Sequence, residues 1–228
     1  MIDFHTHILP NVDDGSDSVN KSIELLNILK NDGVKLVCLT SHFYPKQESI
    51  DEFIERRNNA FSLLNYKDLE LRLGAEIHYY RGISVNDDIA KLCIDNTNIL
   101  LIELSFSTAI NDNVIKELIN LKNRGFKILL AHIERYDISE DQLINMHNNG
   151  ILFQCNSEMF TNFFLKRKAL KWLKSGLIDV IGSDAHNTKD RRPNYAKAMN
   201  VIKDKLGTSF YDNFIEKTYN IIGTKWRK

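Results

Sequence analysis

The sequence predicts an α/β protein built on parallel strands, either a βα barrel or a doubly wound sheet. Three observations support this expectation. Four times the chain passes from a polar helical end through a glycine into a short apolar run and then into polar residues, in KNDG-VKLVCLTSH, KNRG-FKILLAH, HNNG-ILFQCNS and KSG-LIDVIGSDAH. These runs are close to continuously apolar, as strands covered on both faces must be. Residues able to bind metal gather at the carboxyl ends of the runs, the end of a βα barrel that carries its active site.

In chain order, the first strand begins at Ile2 and ends in the triplet HTH. Residues two apart in a strand face the same side, so His5 and His7 can reach one point. The turn Asp13-Asp14-Gly15 supplies oxygen donors nearby. An HxH pair also arises by chance on a solvated strand end, so this pair alone decides nothing. Val19, Ile23, Leu26 and Leu29 mark the apolar face of a first helix. Gly33, Gly125, Gly150 and Gly176 are expected at helix C′ positions, where a left-handed backbone favours glycine. The second strand ends at His42, and Ile50, Phe53, Ile54, Phe61 and Leu64 mark the second helix. Leu69–Ile77, LELRLGAEI, alternates strictly, which puts the leucines under the helices and Glu76 toward the lumen. The fourth strand, NILLIE, ends in Glu103, and Val114, Leu118 and Leu121 mark another helix. The fifth strand ends at His132 and the last at Asp184 and His186. Of the two other histidines, His78 is a strand-end residue or pocket liner, and His147 reads as an ordinary exposed helix residue. Without a metal, the whole set would be a polar barrel rim.

A chain of 228 residues suits one large domain or two small ones, and no Pro- or Gly-rich linker divides it, so we expect a single domain over 1–228. Thirty basic residues balance thirty acidic ones, which gives no argument for nucleic acid or an anionic membrane as the main partner. No stretch approaches eighteen consecutive apolar residues, and the N-terminus lacks a basic region followed by an apolar run. These features lead us to expect a cytoplasmic, unprocessed protein without membrane insertion. Cys38, Cys93 and Cys155 are odd in number, widely spaced and in apolar contexts, as buried reduced thiols would be.

HTH, TSH, GAEI, LLIELS, AHIERY and GSDAHN, in this order and spacing, resemble the PHP (polymerase and histidinol phosphatase) superfamily. More narrowly they are similar to the manganese-dependent protein-tyrosine phosphatases of the CpsB/YwqE type, linked to capsular and exopolysaccharide synthesis. NVDDG together with AHIERY carries the narrower likeness, which runs from Met1 to about Arg191. The resemblance implies a distorted (β/α)7 TIM-like barrel, the PHP fold, holding three metal ions. It implies His5, His7, Glu76 and Asp184 on the first metal, with Glu76 bridging to a second that Glu103 and His132 complete. Asp14, His42 and His186 would hold the third. Mixed imidazole and carboxylate ligation suits Mn, with Fe or Zn as alternatives.

Clustered divalent ions generate hydroxide near neutral pH and neutralise phosphoryl oxygens, so phosphomonoester hydrolysis by a hydroxide bridging two metals is the expected chemistry. By the same resemblance Arg135 contacts phosphate, and a second arginine after SDxH does so too. It aligns to Arg191, with Arg192 adjacent. A cysteine nucleophile is excluded by counting, because the Cys-x5-Arg loop requires arginine where Tyr44, Ile99 and Thr161 stand. The expected substrate is phosphotyrosine on the tail of a bacterial tyrosine kinase. The alternatives are a small-molecule phosphoesterase such as a histidinol phosphatase, or a non-catalytic binding module. Phe43, Tyr44, Tyr79 and Tyr80 follow ligand positions and are candidates to stack on a phenyl ring. Oligomeric state is not legible.

Overall fold

Strand β1 (Ile2–Thr6) is buried along its whole length and sets the direction of the others, since among the described residues every strand pairing is parallel. The computed structural model describes residues 1–105 and 110–223. After β1 come α1 (Val19–Asn31), β2 (Leu36–Leu39), β3 (His42–Phe43), α2 (Ile50–Ser62), β4 (Glu70–Leu73), β5 (Glu76–His78) and β6 (Ile99–Glu103). Then follow α3 (Asp112–Asn123), β7 (Lys127–Leu130), α4 (Glu140–Asn148), β8 (Leu152–Asn156), α5 (Glu158–Thr161), α6 (Lys166–Lys174), β9 (Val180–Gly182), α7 (Tyr195–Leu206) and α8 (Thr208–Ile221). One sheet runs β1-β2-β4 and the other β3-β5-β6-β7-β8-β9. A parallel bridge between Thr6 and Ala185 ties the loop after β9 back to β1, reinforced by His7 N donating to Ala185 O (2.9 Å) and Asp184 N to His5 O (2.8 Å). The result is an α/β fold whose parallel strands curl into a half-barrel.

The helices form where the sequence offers both an apolar stripe and a cap. Ser49 and Ser139 open α2 and α4 with reciprocal capping boxes to Glu52 and Gln142, satisfying backbone donors that a helix start otherwise leaves bare. The stripe of α1 is turned slightly from the expected one: Ser22, Leu25, Leu26 and Leu29 are buried, and Val19 and Ile23 only half so. Gly33, Gly125, Gly150 and Gly176 all follow helices with φ between 83° and 98°, as C′ residues should.

Two expectations about strands change. His42 does not end β2; it starts the separate strand β3, which pairs with β5. LELRLGAEI is not one alternating strand, because it breaks at Gly74-Ala75 into β4 and β5, which belong to different sheets. Side chains satisfy the broken backbone, Asp95 accepting from Leu73 N (3.0 Å) and Arg57 donating to Gly74 O (3.0 Å). Glu76 N then turns to Thr40 O and Ser41 O, so Leu73 through Ile77 are buried without alternation. His147 is not a plain exposed residue either. Its Nε2 lies 3.2 Å from the buried carboxylate of Asp179, which also takes Lys217 Nζ (2.8 Å) and Phe153 N (2.8 Å).

Two glycines set how closely the strand ends approach one another. A Cβ on Gly182 would stand 2.5 Å from His5 Cβ, and one on Gly15 would stand 2.0 Å from His7 O. Substituting Gly182→Ala should therefore push β9 away from β1. The expected cost is about 1–3 kcal/mol, the range for overpacking a filled interior. A lowered denaturation midpoint in a urea titration would reveal it, and an unchanged midpoint would mean that the two strands are not in firm contact.

Candidate metal centre

All nine residues expected to be ligands, and both expected arginines, meet in one cluster, most of them at or beyond the carboxyl ends of strands. His5 and Glu103 lie in β1 and β6, His42 and Glu76 open β3 and β5, and the others sit in the loops just beyond β1, β7 and β9. Two of these loop residues adopt a left-handed backbone, His132 at φ 30° and Asp184 at φ 52°. Such conformations cost a non-glycine residue of the order of 1 kcal/mol and persist where the surroundings hold them.

The centre is organised by the tautomers of His5 and His7. Gln154 Oε1 accepts the backbone N–H of His132 (2.7 Å), so its other neighbour, His5 Nδ1 at 3.1 Å, must also donate to it. His7 Nδ1 donates to Asp13 Oδ2 (2.8 Å). In the neutral rings both Nε2 atoms are left as lone pairs, and they face each other at 3.0 Å. Glu76 Oε2 stands 3.2 Å from one and 3.1 Å from the other, and Asp184 Oδ1 stands at 3.7 and 3.5 Å. Four such atoms around one point form a donor set suited to a cation.

The remaining groups extend this point into two more. Glu76 Oε1 lies 2.9 Å from His132 Nε2, and Glu103 Oε1 lies 3.4 Å from the same nitrogen. Glu76 thus uses its two oxygens on two sides, in the manner of a bridging carboxylate. His7, Asp14, His42 and His186 offer atoms within 4.8 Å of one another, and so do His5, His7 and Asp184, and His42, Glu76 and Glu103. The ring of His42 serves two of these groups, with Nδ1 3.0 Å from Glu76 Oε2 and Nε2 3.6 Å from Asp14 Oδ1. His42 Nδ1, Glu76 Oε2 and His186 Nε2 are buried without a hydrogen bond even though ligand-type atoms surround them. That arrangement fits a donor set for divalent cations better than a hydrogen-bonded network.

Charge follows the same geometry. Burial alone would raise Glu76, but His5, His132 and His42 outweigh it and hold the carboxyl well below its ordinary range. Asp184 is held down in the same way by His5, His7 and Arg135. Burial would lower His132, yet Glu103 and Glu76 raise it to about 9. His7 is likewise carried well above its ordinary value by Asp13 and Glu76 against its burial.

Both arginines rest on Asp184. Arg135 Nη2 lies 2.6 Å from Oδ2, and Arg191 Nη2 lies 2.9 Å from both oxygens. Between the two adjacent candidates, Arg191 is the one that faces the cluster, its Nη1 also reaching Asp14 Oδ2 at 3.6 Å. Arg192 only lines the neighbouring 510 Å³ cavity, together with Arg135, Asn156 and Arg191. A second cavity, of 550 Å³, opens over Asp14, His42 and Tyr44. The Tyr44 ring stacks on His42 at 5.0 Å, whereas Phe43 is buried against Phe53, and Tyr79 and Tyr80 are engaged by Glu117 and Asn86. Of the four aromatic candidates only Tyr44 reaches the site. His78 is the strand-end residue of β5, its Nδ1 3.4 Å from Glu103 Oε2. No thiol competes, because burial pushes Cys38 and Cys155 far above their ordinary values and Cys93 up to about 11.

Sequence reasoning missed the supporting residues. Asp13, expected with Asp14 to supply oxygen donors, instead accepts from His7 Nδ1, His42 N and Gly15 N. Gln154 joins His5 to the His132 backbone, and Asn156 Nδ2 donates to Asp184 Oδ2 (2.9 Å). The signal available in the sequence was the pair of polar residues, two apart, inside the apolar run ILFQCN.

Fold and cluster together define a class: an α/β protein carrying a buried imidazole–carboxylate centre at the carboxyl ends of parallel strands. The chain belongs to the family described as capsular polysaccharide synthesis, CpsB/CapC, which it matches over residues 1–222. It is 32% identical to the tyrosine-protein phosphatase CpsB of Streptococcus pneumoniae, over 93% of this chain and 96% of that protein. It is 29% identical to the tyrosine-protein phosphatase YwqE of Bacillus subtilis, over 91% and 86%. A solved structure from work on YwqE of Bacillus subtilis and CpsB of Streptococcus pneumoniae, metal-dependent tyrosine phosphatases, matches with a TM-score of 0.81. It covers 100% of this chain and 97% of that one at 24% identity, a likeness of fold.

Two outcomes follow from the geometry. Replacing Gln154→Leu frees the His5 ring and strands the His132 N–H, and should weaken metal binding about 10–100-fold, measured by competition with a chelating dye. In chelator-treated protein, the raised His132 contributes stability that is complete below 6.5 and lost as the pH rises through about 9. His7, raised in the same sense, adds to the loss. Stability should fall by at most about 1.4 kcal/mol per pH unit for each group. Thermal unfolding of the stripped protein between pH 6 and 10 checks the sign.

Proposed function

We propose that the protein is a metal-dependent protein-tyrosine phosphatase. The observation that carries the reading is the meeting of two lone-pair nitrogens, His5 and His7 Nε2, with Glu76 Oε2 at one buried point. The names of its relatives agree with it. In this reading His5, His7, Glu76 and Asp184 hold one metal, Glu76, Glu103 and His132 a second, and Asp14, His42 and His186 a third, with Mn as the first choice. Bound there, divalent ions would supply an activated water and neutralise the phosphoryl oxygens. Arg135 and Arg191 are the chain's own contribution to phosphate. Their planar guanidinium groups leave Asp184 for the arriving phosphoryl oxygens and fix its orientation.

The rim of the site favours a phosphoprotein over a small metabolite. Asp14 is 62% exposed, and Arg135 and Arg191 are about one-third exposed, so the phosphate-facing side opens to the surface rather than into a closed pocket. Tyr44, beside His42 in the second cavity, is positioned to meet an aryl group. On this reading the substrate is the phosphotyrosine tail of a bacterial tyrosine kinase that governs polysaccharide synthesis. Histidinol phosphate is the less favoured substrate. The nine strand segments read as seven barrel strands when β2 with β3, and β4 with β5, are each taken as one interrupted strand. A single core running from Ile2 to Ile222 supports one domain over 1–228. Three free cysteines agree with a reducing, cytoplasmic location.

Metal-stripped protein should hydrolyse neither p-nitrophenyl phosphate nor a phosphotyrosyl peptide, and added Mn should restore both activities. A His5→Ala/His7→Ala variant should stay inactive. Turnover of histidinol phosphate alone would overturn the substrate, and silence toward all three would overturn the enzyme. Arg135→Lys should retain metal and lower kcat/KM by about 10–100-fold, through loss of bidentate phosphate contact.

A further inference from the structure

The turn between α5 and α6 holds two phenylalanine rings in water. Phe163 is 83% exposed and Phe164 86%, and the rings meet edge to face at 5.4 Å. The turn is braced from within. The side-chain oxygen of Asn162 accepts from Phe164 N (2.9 Å) and Leu165 N (3.2 Å), and its carbonyl accepts from Lys166 N (3.0 Å). The backbone therefore builds the outward display of the rings. A contiguous exposed apolar surface of this kind marks a contact site on an otherwise polar exterior.

The helix that follows is basic on its free side. α6 buries Ala169, Trp172 and Leu173, while Arg167, Lys171 and Lys174 fall at i, i+4 and i+7, on one face. Lys168 lies beside them, its Nζ 4.2 Å from the Trp172 ring, and Lys171 also pairs with Glu140 (2.8 Å). From Phe163 to Lys174 the chain carries five cations and no acid, a local charge that the balanced total of thirty against thirty conceals.

We propose that this turn and the adjoining face of α6 bind the surface of an anionic lipid bilayer. Phe163 and Phe164 enter the boundary between headgroups and acyl chains, and the cations lie against lipid phosphates. Exposed aromatic rings beside a row of solvent-facing cations suit that interface on both counts. A second copy packed by two-fold symmetry would set five cations against five. A peptide is held by a groove or a sheet edge, whereas these rings project from a turn. The turn lies beside the candidate centre. Thr161, two residues before Phe163, accepts a hydrogen bond from Asn194 Nδ2 (3.2 Å), and both line the arginine-bearing cavity. A bilayer at the turn would thus lie close to that cavity. The lipid contact itself does not depend on the phosphatase reading.

Flotation of the full chain with vesicles tests this, using equal parts phosphatidylglycerol and phosphatidylcholine against pure phosphatidylcholine. The anionic vesicles should carry the protein, the neutral ones should not, and added salt should release it. Phe163→Ser/Phe164→Ser should weaken binding about ten-fold or more. Arg167→Gln/Lys174→Gln should weaken it about thirty-fold, since each basic residue near such a surface contributes about five-fold. Unchanged thermal unfolding in both variants excludes misfolding. Equal binding to the two vesicle types, no binding to either, or variants that float as the parent does would overturn the proposal. Two further results would also overturn it in the absence of vesicle binding. Loss of an oligomer in the phenylalanine variant would assign the turn to a second copy, and loss of phosphotyrosyl-peptide affinity would assign it to a protein substrate.

Discussion

Burial of several electron-pair donors around one point, with too few protons to separate them, is the constraint from which the rest of the structure follows. When both rings are neutral, His5 and His7 turn lone pairs toward each other at 3.0 Å, because their other nitrogens donate to Gln154 and Asp13. Glu76 and Asp184 add carboxylate oxygens to the same point. Acceptors that face one another in a low-dielectric interior repel strongly unless positive charge lies between them. Without metal the protein meets that demand by protonating imidazoles, which is why His7 and His132 hold their protons more tightly than free histidine does. Divalent ions would meet it with higher charge and release those protons.

Keeping the donors together shapes the backbone around them. Gly15 and Gly182 let the chain pass against His7 and His5 at distances that exclude any side chain. His132 and Asp184, in the loops just beyond β7 and β9, are held in left-handed conformations. The bridge from Thr6 to Ala185 brings the loop after β9 onto β1, so that Asp184 stands opposite His5. Parallel strands make this economical, because every carboxyl end opens on the same side of the sheet. Arg135 and Arg191 complete the electrostatics from outside, two guanidinium groups sharing Asp184 at the border between the buried cluster and solvent.

The charge of the chain as a whole says little about its surface. Acidic residues are drawn into the centre, where Glu76 and Asp184 are buried, while α6 carries its cations on a solvent face. A sum over the sequence cancels these two populations although they are apart in space and serve different purposes. The exposed Phe163 and Phe164 likewise vanish in a mean hydrophobic content of 43% that the core dominates.

Much of the architecture was legible in the sequence, because it rests on local rules. Glycine after a helical pattern, a continuous apolar run and a ligand-type residue at its end are all written within about twelve residues, and each recurred. Most of the candidate ligands could therefore be picked out, the family resemblance completed the set of nine and added Arg135, and the structure brings them into one cluster. What local rules could not supply were contacts made across the sheet. The break at Gly74-Ala75 depends on Asp95 and Arg57, some twenty residues away on either side, satisfying a backbone that would otherwise continue as one strand. Asp13 and Asp14 are adjacent and chemically alike, and only the position of His7 makes one an orienting partner while the other faces the cluster. The choice of Arg191 over Arg192 likewise awaited the loop that aims one of them at Asp184. The sequence by itself determined which residues could act and, for most of them, that they stand at strand ends, since periodicity and ligand-type residues after apolar runs are properties of neighbouring residues. Only the tertiary structure decided which of them touch, because hydrogen-bond direction and distance arise where strands far apart in the chain converge.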